Sequence, residues 1–259
     1  MASVYRAYPP DALGATTSYT EPVAWFRRRS RPRPGTLRVA PRSEAEAVAR
    51  VELRDLAPAP ARFLGQTAYL TIVLFENLGR AVTTAPTTDA KSRLARAASE
   101  MLRMHDGLVA ELERLGVDPA AEMEPFRLPL DDYQRRTKGA DWYEILVTCY
   151  LTNGFLLDFF AGLASGLPDD LDDRAATLLQ SREGEEVLVE ELRLAIEGNP
   201  RLASRLAMWG RRLVGDTMLV ARLAIEQHPR AEVDERVDPV FTELIAAHTR
   251  RMDKLGLTA

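Results

Sequence analysis

Residues Arg62 to Val82 read RFLGQTAYLTIVLFENLGRAV, and the reading of this stretch decides the fold. Phe63, Leu64, Tyr69, Ile72, Phe75 and Leu78 leave almost no polar side, so a helix here has to be covered all round. The run Tyr69–Phe75 alone would suit a buried strand. The whole segment is too long for one, and a central helix is the expectation.

Outward from it, the chain reads as helix after helix. Ala90 to Leu115 sets Met101, His105, Leu108, Leu112 and Leu115 at alternating steps of four and three, a bundle seam, and Gly116 stops it. Val117 to Gly139 holds Pro119, Pro125 and Pro129 and reads as a connector crossing the bundle. Asp141 to Leu163 is a third helix, ended by the Gly166–Pro168 break. Asp169, Asp170, Asp172 and Asp173 open a fourth that runs to about Ile196. Acids at a helix start cap free N–H groups and complement the dipole, which is preferred here over calcium binding. Asn199 then Pro200 is an N-cap followed by a first-turn proline, starting a fifth helix to about Gln227. Asp238–Pro239 repeats the device for a last helix to about Leu255. The order hairpin, long crossover, hairpin is that of a ferritin-like four-helix bundle. The expected fold is therefore all-α: such a bundle over residues 61–259, with additional C-terminal helices.

Residues 1–60 differ. They hold eight of the sixteen prolines, and every charge from Pro22 to Arg42 is positive. This arm should be extended or wrapped over the body, with a short helix or strand between Glu44 and Leu56. Arg27, Arg28, Arg29, Arg31 and Arg33 are candidate RNA contacts; the preferred reading is a leader docked on its own acidic domain, because few aromatics accompany them. Across the 259 residues the hydrophobic share is 46% and the net charge −4, which excludes a disordered chain. No apolar stretch is read as a membrane span, and no signal peptide is seen. A single cysteine, Cys149, excludes an internal disulfide and multi-cysteine metal sites, fits a reducing cytoplasm and reads as a core residue. Phosphate loops, zincin motifs and nucleophile elbows are absent.

Three stretches carry a family likeness: Phe63 to Leu70 (FLGQTAYL), Ala140 to Glu144 (ADWYE) and Trp209 to Asp216 (WGRRLVGD). On these, residues from about Leu56 to Arg222 resemble the actinobacterial ferritin-like proteins related to the tRNA 2-methylthio-isopentenyladenosine hydroxylases. The resemblance implies a di-iron oxygenase ancestry, with one Glu from each of two helices and a Glu-x-x-His from each of the other two. Glu76 falls at the ligand place of the first helix. In the second, either Glu100 is the carboxylate and Arg103 stands at the histidine place, or His105 is the imidazole and Leu102 stands at the carboxylate place. The seam turns His105 inward and favours the second register. Thr152 occupies the third helix's place, with Glu144 and Asp158 as substitutes only if the bundle shifts. In the fourth, Arg182-Glu183-Gly184-Glu185 stands where Glu-x-x-His would be.

On this mapping Glu76 and His105 remain, with Glu185 as a third, and Arg182 adds positive charge where two cations would sit. The expected state of the centre is a core ion pair of Arg182 with Glu185 or Glu76, and no cofactor. The fifth helix should carry an Arg212–Asp216 pair, and His228 and His248 read as surface or helix-end residues. The function expected is that of a ferritin-like relative of the tRNA hydroxylases without working di-iron catalysis. The alternatives are a metal-free binding or interaction module, dimeric through its apolar helices, a small-molecule binder, and an active di-iron hydroxylase using Glu76, His105, Glu144 and Glu185.

Overall fold

The computed structural model describes residues 53–168, 170–182, 184–225 and 230–257, with side chains in the last range from residue 238 onward. These residues form eight α-helices, and no strand occurs among them. They are α1 (Pro60–Thr84), α2 (Thr88–Arg114), α3 (Pro119–Arg136), α4 (Trp142–Ala164), α5 (Leu171–Leu179), α6 (Glu185–Ile196), α7 (Pro200–Ile225) and α8 (Arg230–Lys254). The arm, with Arg27, Arg28, Arg29, Arg31 and Arg33, lies outside the described residues.

Local chemistry sets most boundaries. Thr87 accepts a hydrogen bond from the Ala90 N–H, Asp118 from Ala120 and Asp141 from Glu144, each an N-cap that satisfies an orphan donor. Asn199 Oδ1 accepts from Leu202 N–H at 3.1 Å, with Pro200 in the first turn, as expected.

Contacts fix the directions. The His105 ring meets the Ala68 carbonyl, joining α1 and α2 as a hairpin. Phe63 faces Phe160 with ring centroids 6.0 Å apart, and Trp142 Nε1 donates to the Ala81 carbonyl at 3.0 Å, so α4 runs antiparallel to α1. Arg93 binds Glu190 and Glu191, while Leu178 packs on Gly107, so α5 and α6 together run antiparallel to α2. α1, α2, α4 and the α5–α6 pair are the four-helix bundle. α7 lies on α4, in parallel: Arg205 meets Glu144 and Trp209 meets Thr148, with the same offset. α8 returns antiparallel to α7, its His248 on the Gly210 carbonyl.

α4 is long and apolar enough to cross a membrane, a length the sequence reading gave to no stretch. Here it is the bundle's central helix, covered by α1, α5, α6, α7 and α8 and buried over most of its length.

Two elements differ from expectation. The crossover is a helix, α3, although Pro125 and Pro129 lie inside it. An interior proline costs about 3 kcal/mol of helix stability. Burial of Phe126, Leu130 and Tyr133, spaced by four and three on one face, outweighs that cost against α1 and α7. The fourth helix is broken at residues 180–184. The Arg182 guanidinium donates to the carbonyls of Leu179 (2.7 Å) and Ser181 (3.0 Å), capping the end of α5. A Cβ on Gly184 would lie 2.8 Å from that of Ala97, so this glycine lets the start of α6 approach α2. The last helix also starts earlier than expected and carries Pro239 inside it.

Candidate functional site

Where the four bundle helices come together lies a small cavity of about 30 Å³, room for roughly one water molecule. Glu100 and Met101 line it from α2, Cys149, Tyr150 and Asn153 from α4, and Arg182 and Glu185 from the break and α6. Asn153 Oδ1 and Tyr150 Oη are buried there without a hydrogen-bond partner. An unmade hydrogen bond at such a group costs about 1–3 kcal/mol, so a polar guest is favoured. Burial pushes the Cys149 thiol up to about 12, which keeps it protonated and a poor nucleophile. Burial, with Glu185 nearby, pushes the Tyr150 phenol up to about 12.

The structure separates the side chains the sequence grouped. Glu76 is exposed, its Oε2 accepting from Gln134 Nε2 of α3 at 2.8 Å; Asn77 and Leu78 take the inward places on α1. His105 sits at the edge of the seam, half-buried, with Nδ1–H donating to the Ala68 carbonyl at 2.9 Å. Met101, Leu108 and Leu112 of the predicted seam are buried, with Met104 beside them in the place given to His105 and Leu115 exposed; Ala97, Glu100 and Glu111 complete the buried face of α2. Glu100, bound to Arg103, is the α2 carboxylate that lines the central cavity, while the Arg103 side chain is largely exposed.

Glu144 is buried at the start of α4 and accepts from the Ala140 N–H (2.7 Å) and Arg205 (3.0 Å), away from the cavity. Thr152 is buried with its hydroxyl on the Thr148 carbonyl. The expected core ion pair of Arg182 with Glu185 or Glu76 is replaced. Arg182 binds Asp158 at 2.8 Å, Asp158 also binds Arg251 at 2.6 Å, and Glu185 meets Lys254 at 3.3 Å. The helix break turns Arg182 out of line with Glu185. On α7, Asp216 meets Arg136 at 3.6 Å, and Arg212 lies over the Trp209 ring. His248 is buried rather than exposed, and burial lowers its imidazole to about 4. His228 lies outside the described side chains.

Among the described residues no three His, Cys, Asp or Glu side chains gather closely enough to hold a metal ion. Two irons need about four carboxylates and two imidazoles in one layer. The central layer offers Glu100, already on Arg103, and Glu185, already on Lys254, with a guanidinium in its wall. The described donors do not fit a di-iron pair.

A second cavity adjoins this layer. A groove of about 720 Å³ runs between α4, α5 and α8, and Arg182 lines both it and the central cavity. Its walls carry Ala161 and Gly162 of α4, Ala176 of α5, and Val240, Leu244 and Ala247 of α8, with Asp158, Glu243 and Arg250 among them. Sequence reasoning missed this site because it joins a helix with residues about 80 positions later; of its lining residues only Asp158, as a substitute ligand, and Arg182, as a core ion-pair partner, stood out in the sequence.

Against known families, the description "ferritin-like domain, actinomycetes" matches residues 57–235. No curated protein matches the chain. The match spans well over half the sequence, and the chain belongs to this ferritin-like family.

Proposed function

We propose that this member of the actinomycete ferritin-like family is a metal-free binding protein, descended from a di-iron hydroxylase bundle that acted on tRNA. The observation that carries the reading is Arg182, which lines the central cavity from the break before α6, together with Glu100 and Glu185. An arginine cannot give up its proton and cannot bind a metal. Its charge also repels the cation it would replace. The family match and the bundle topology support the ancestry; the tRNA substrate rests on the sequence resemblance alone.

What remains is a rigid helical scaffold with a polar centre and an outer groove of ligand size. The test is elemental analysis of the purified full chain after anaerobic loading with ferrous iron and exposure to oxygen. Less than one iron per ten chains is expected. Two irons per chain, with the absorbance of an oxo-bridged pair, would return the hydroxylase reading to first place.

A further inference from the structure

One face of α7 carries apolar side chains that the rest of the chain leaves uncovered. Met208 is 63% exposed and Leu219 53%, and Arg212 and Gly215 between them are exposed as well. At 3.6 residues per turn Met208, Gly215 and Leu219 fall within about 40° of one another, with Arg212 and then Asp216 along one flank. The opposite face of the same helix, with Leu206, Leu213 and Val220, is the one buried on the bundle.

Gly215 supplies a second observation. α7 has two interior glycines, and they differ. A Cβ on Gly210 would lie 2.9 Å from Leu151 and 3.2 Å from Met252, so packing within the chain accounts for that glycine; a Cβ on Gly215 would meet nothing. Glycine weakens a helix interior, and no neighbour within the chain uses the space that Gly215 leaves. A second helix backbone laid across this face would use it.

Charge selects the occupant. Arg211 and Arg222 already have interactions within the chain, so the face is not a free basic patch. Arg212 lies over the Trp209 ring and meets no carboxylate among the described residues. Asp216 is held at 3.6 Å, through Oδ1, by Arg136, which stands closer to Asp132 at 3.3 Å. A cation and an anion, each short of a close partner, thus lie four residues apart on one flank. Let a second copy lie antiparallel on this face, about a two-fold axis at the level of Leu213 and Val214. Met208 then falls opposite the partner's Leu219, and Leu219 opposite the partner's Met208. An antiparallel two-fold sets each flank against its like, so Arg212 also comes opposite the partner's Asp216, twice over. Gly215 sits next to the axis, where the two backbones come closest.

We propose that this face of α7 is the seam of a symmetric homodimer, with Met208 on Leu219 and Arg212 on Asp216 across the two-fold. The face complements itself in shape and in charge at a single register, which a partner of another kind would not require. The proposal is independent of the metal-free reading.

Light scattering on the full-length protein, eluted from a sizing column at tens of micromolar, tests it. A mass of twice the 28.9 kDa chain is expected. Gly215→Leu should return the single-chain mass with the thermal midpoint unchanged or raised, because leucine favours helix and a Cβ there meets nothing in its own chain. Arg212→Asp should weaken association by at least about tenfold, and adding Asp216→Arg should restore it. Met208→Cys with Leu219→Cys should give a disulfide-linked dimer on oxidation. The two positions are about 16 Å apart along their own helix, too far to join within one chain, and Cys149 is buried. A single-chain mass for the unaltered protein overturns the proposal, as does a dimer that Gly215→Leu leaves intact or a charge swap that fails to restore association. A single-chain mass that rises only when heparin is added would assign the face to an acidic partner and overturn it too.

Discussion

α4 carries two carboxylates that arginines from later helices hold, and the two are used differently. Glu144, near its start, is enclosed: the Ala140 N–H and Arg205 of α7 satisfy it, and Arg205 also reaches Asp141 at 2.5 Å. Asp158, near its end, opens on the groove and joins Arg182 of the α5–α6 break to Arg251 of α8. The first pins one helix to another. The second ties three segments together beside a space large enough for a ligand. From sequence both looked like displaced metal ligands, because an acid on an apolar helix needs a partner and the sequence does not say which. Each has found its cation on an element too distant in the chain for spacing to reveal.

The contrast can be broken most strongly at Glu144. Glu144→Leu leaves the Ala140 N–H and part of the Arg205 charge without an acceptor, and should cost about 3 kcal/mol in urea unfolding. If the loss is below about 0.5 kcal/mol, Glu144 is not a pin.

Next comes pH, through the helix that supplies Arg251. His248 of α8 is buried on α7, and burial, opposed by its bond to the Gly210 carbonyl, lowers it from 6.5 to about 4. As pH falls, the unfolded chain takes up this proton first. The contribution is therefore complete above pH 6.5 and is lost on the way down towards about pH 4. Stability should drop by about 2 kcal/mol between pH 6.5 and about pH 5 from this group, and His248→Gln should flatten that slope. An unchanged slope in the variant would show that α8 does not depend on a neutral His248.

A smaller effect sharpens the role of Asp158. Alanine for a mid-helix glycine ordinarily stabilises by about 0.5–1 kcal/mol. A Cβ on Gly154, however, would collide with the guanidinium of Arg251 on its way to Asp158. Gly154→Ala should therefore destabilise by about 1–2 kcal/mol, and turn neutral or stabilising when combined with Arg251→Ala. Additive effects would mean that the Arg251 path is not what the glycine protects. Asp158→Asn should show the smallest change, about 1 kcal/mol, because the carboxylate is one-third exposed and solvent screens its loss.

How far the sequence carried depends on the kind of information. The long helix from Arg62, the helix starting at Asp141, the cap at Asn199, and the hairpin–crossover–hairpin order are local signals, and the structure agrees with them. α3 was hidden because prolines argue against a helix locally, while Phe126, Leu130 and Tyr133 argue for one only once α1 is there to receive them. The site was less legible. The seam of Met101, Leu108 and Leu112 is buried as its spacing implies, but Met104 rather than His105 completes it, and Glu100 lies on the same buried face. Heptad spacing tolerates either choice, and only packing against the other helices decides. Arg182 lines the centre, but its partner could not be read, because the spacing implies a continuous fourth helix and the chain instead breaks between Leu179 and Glu185.

The central claim is that arginine and its ion pairs stand where a di-iron bundle holds metal. Diffraction at the iron absorption edge, from crystals grown after ferrous loading, addresses it atom by atom. The account predicts no anomalous peak in the layer of Glu100, Asn153 and Glu185, with Arg182 still on Asp158. Two strong peaks there, with Arg182 swung away and Glu100 and Glu185 turned onto them, would contradict it.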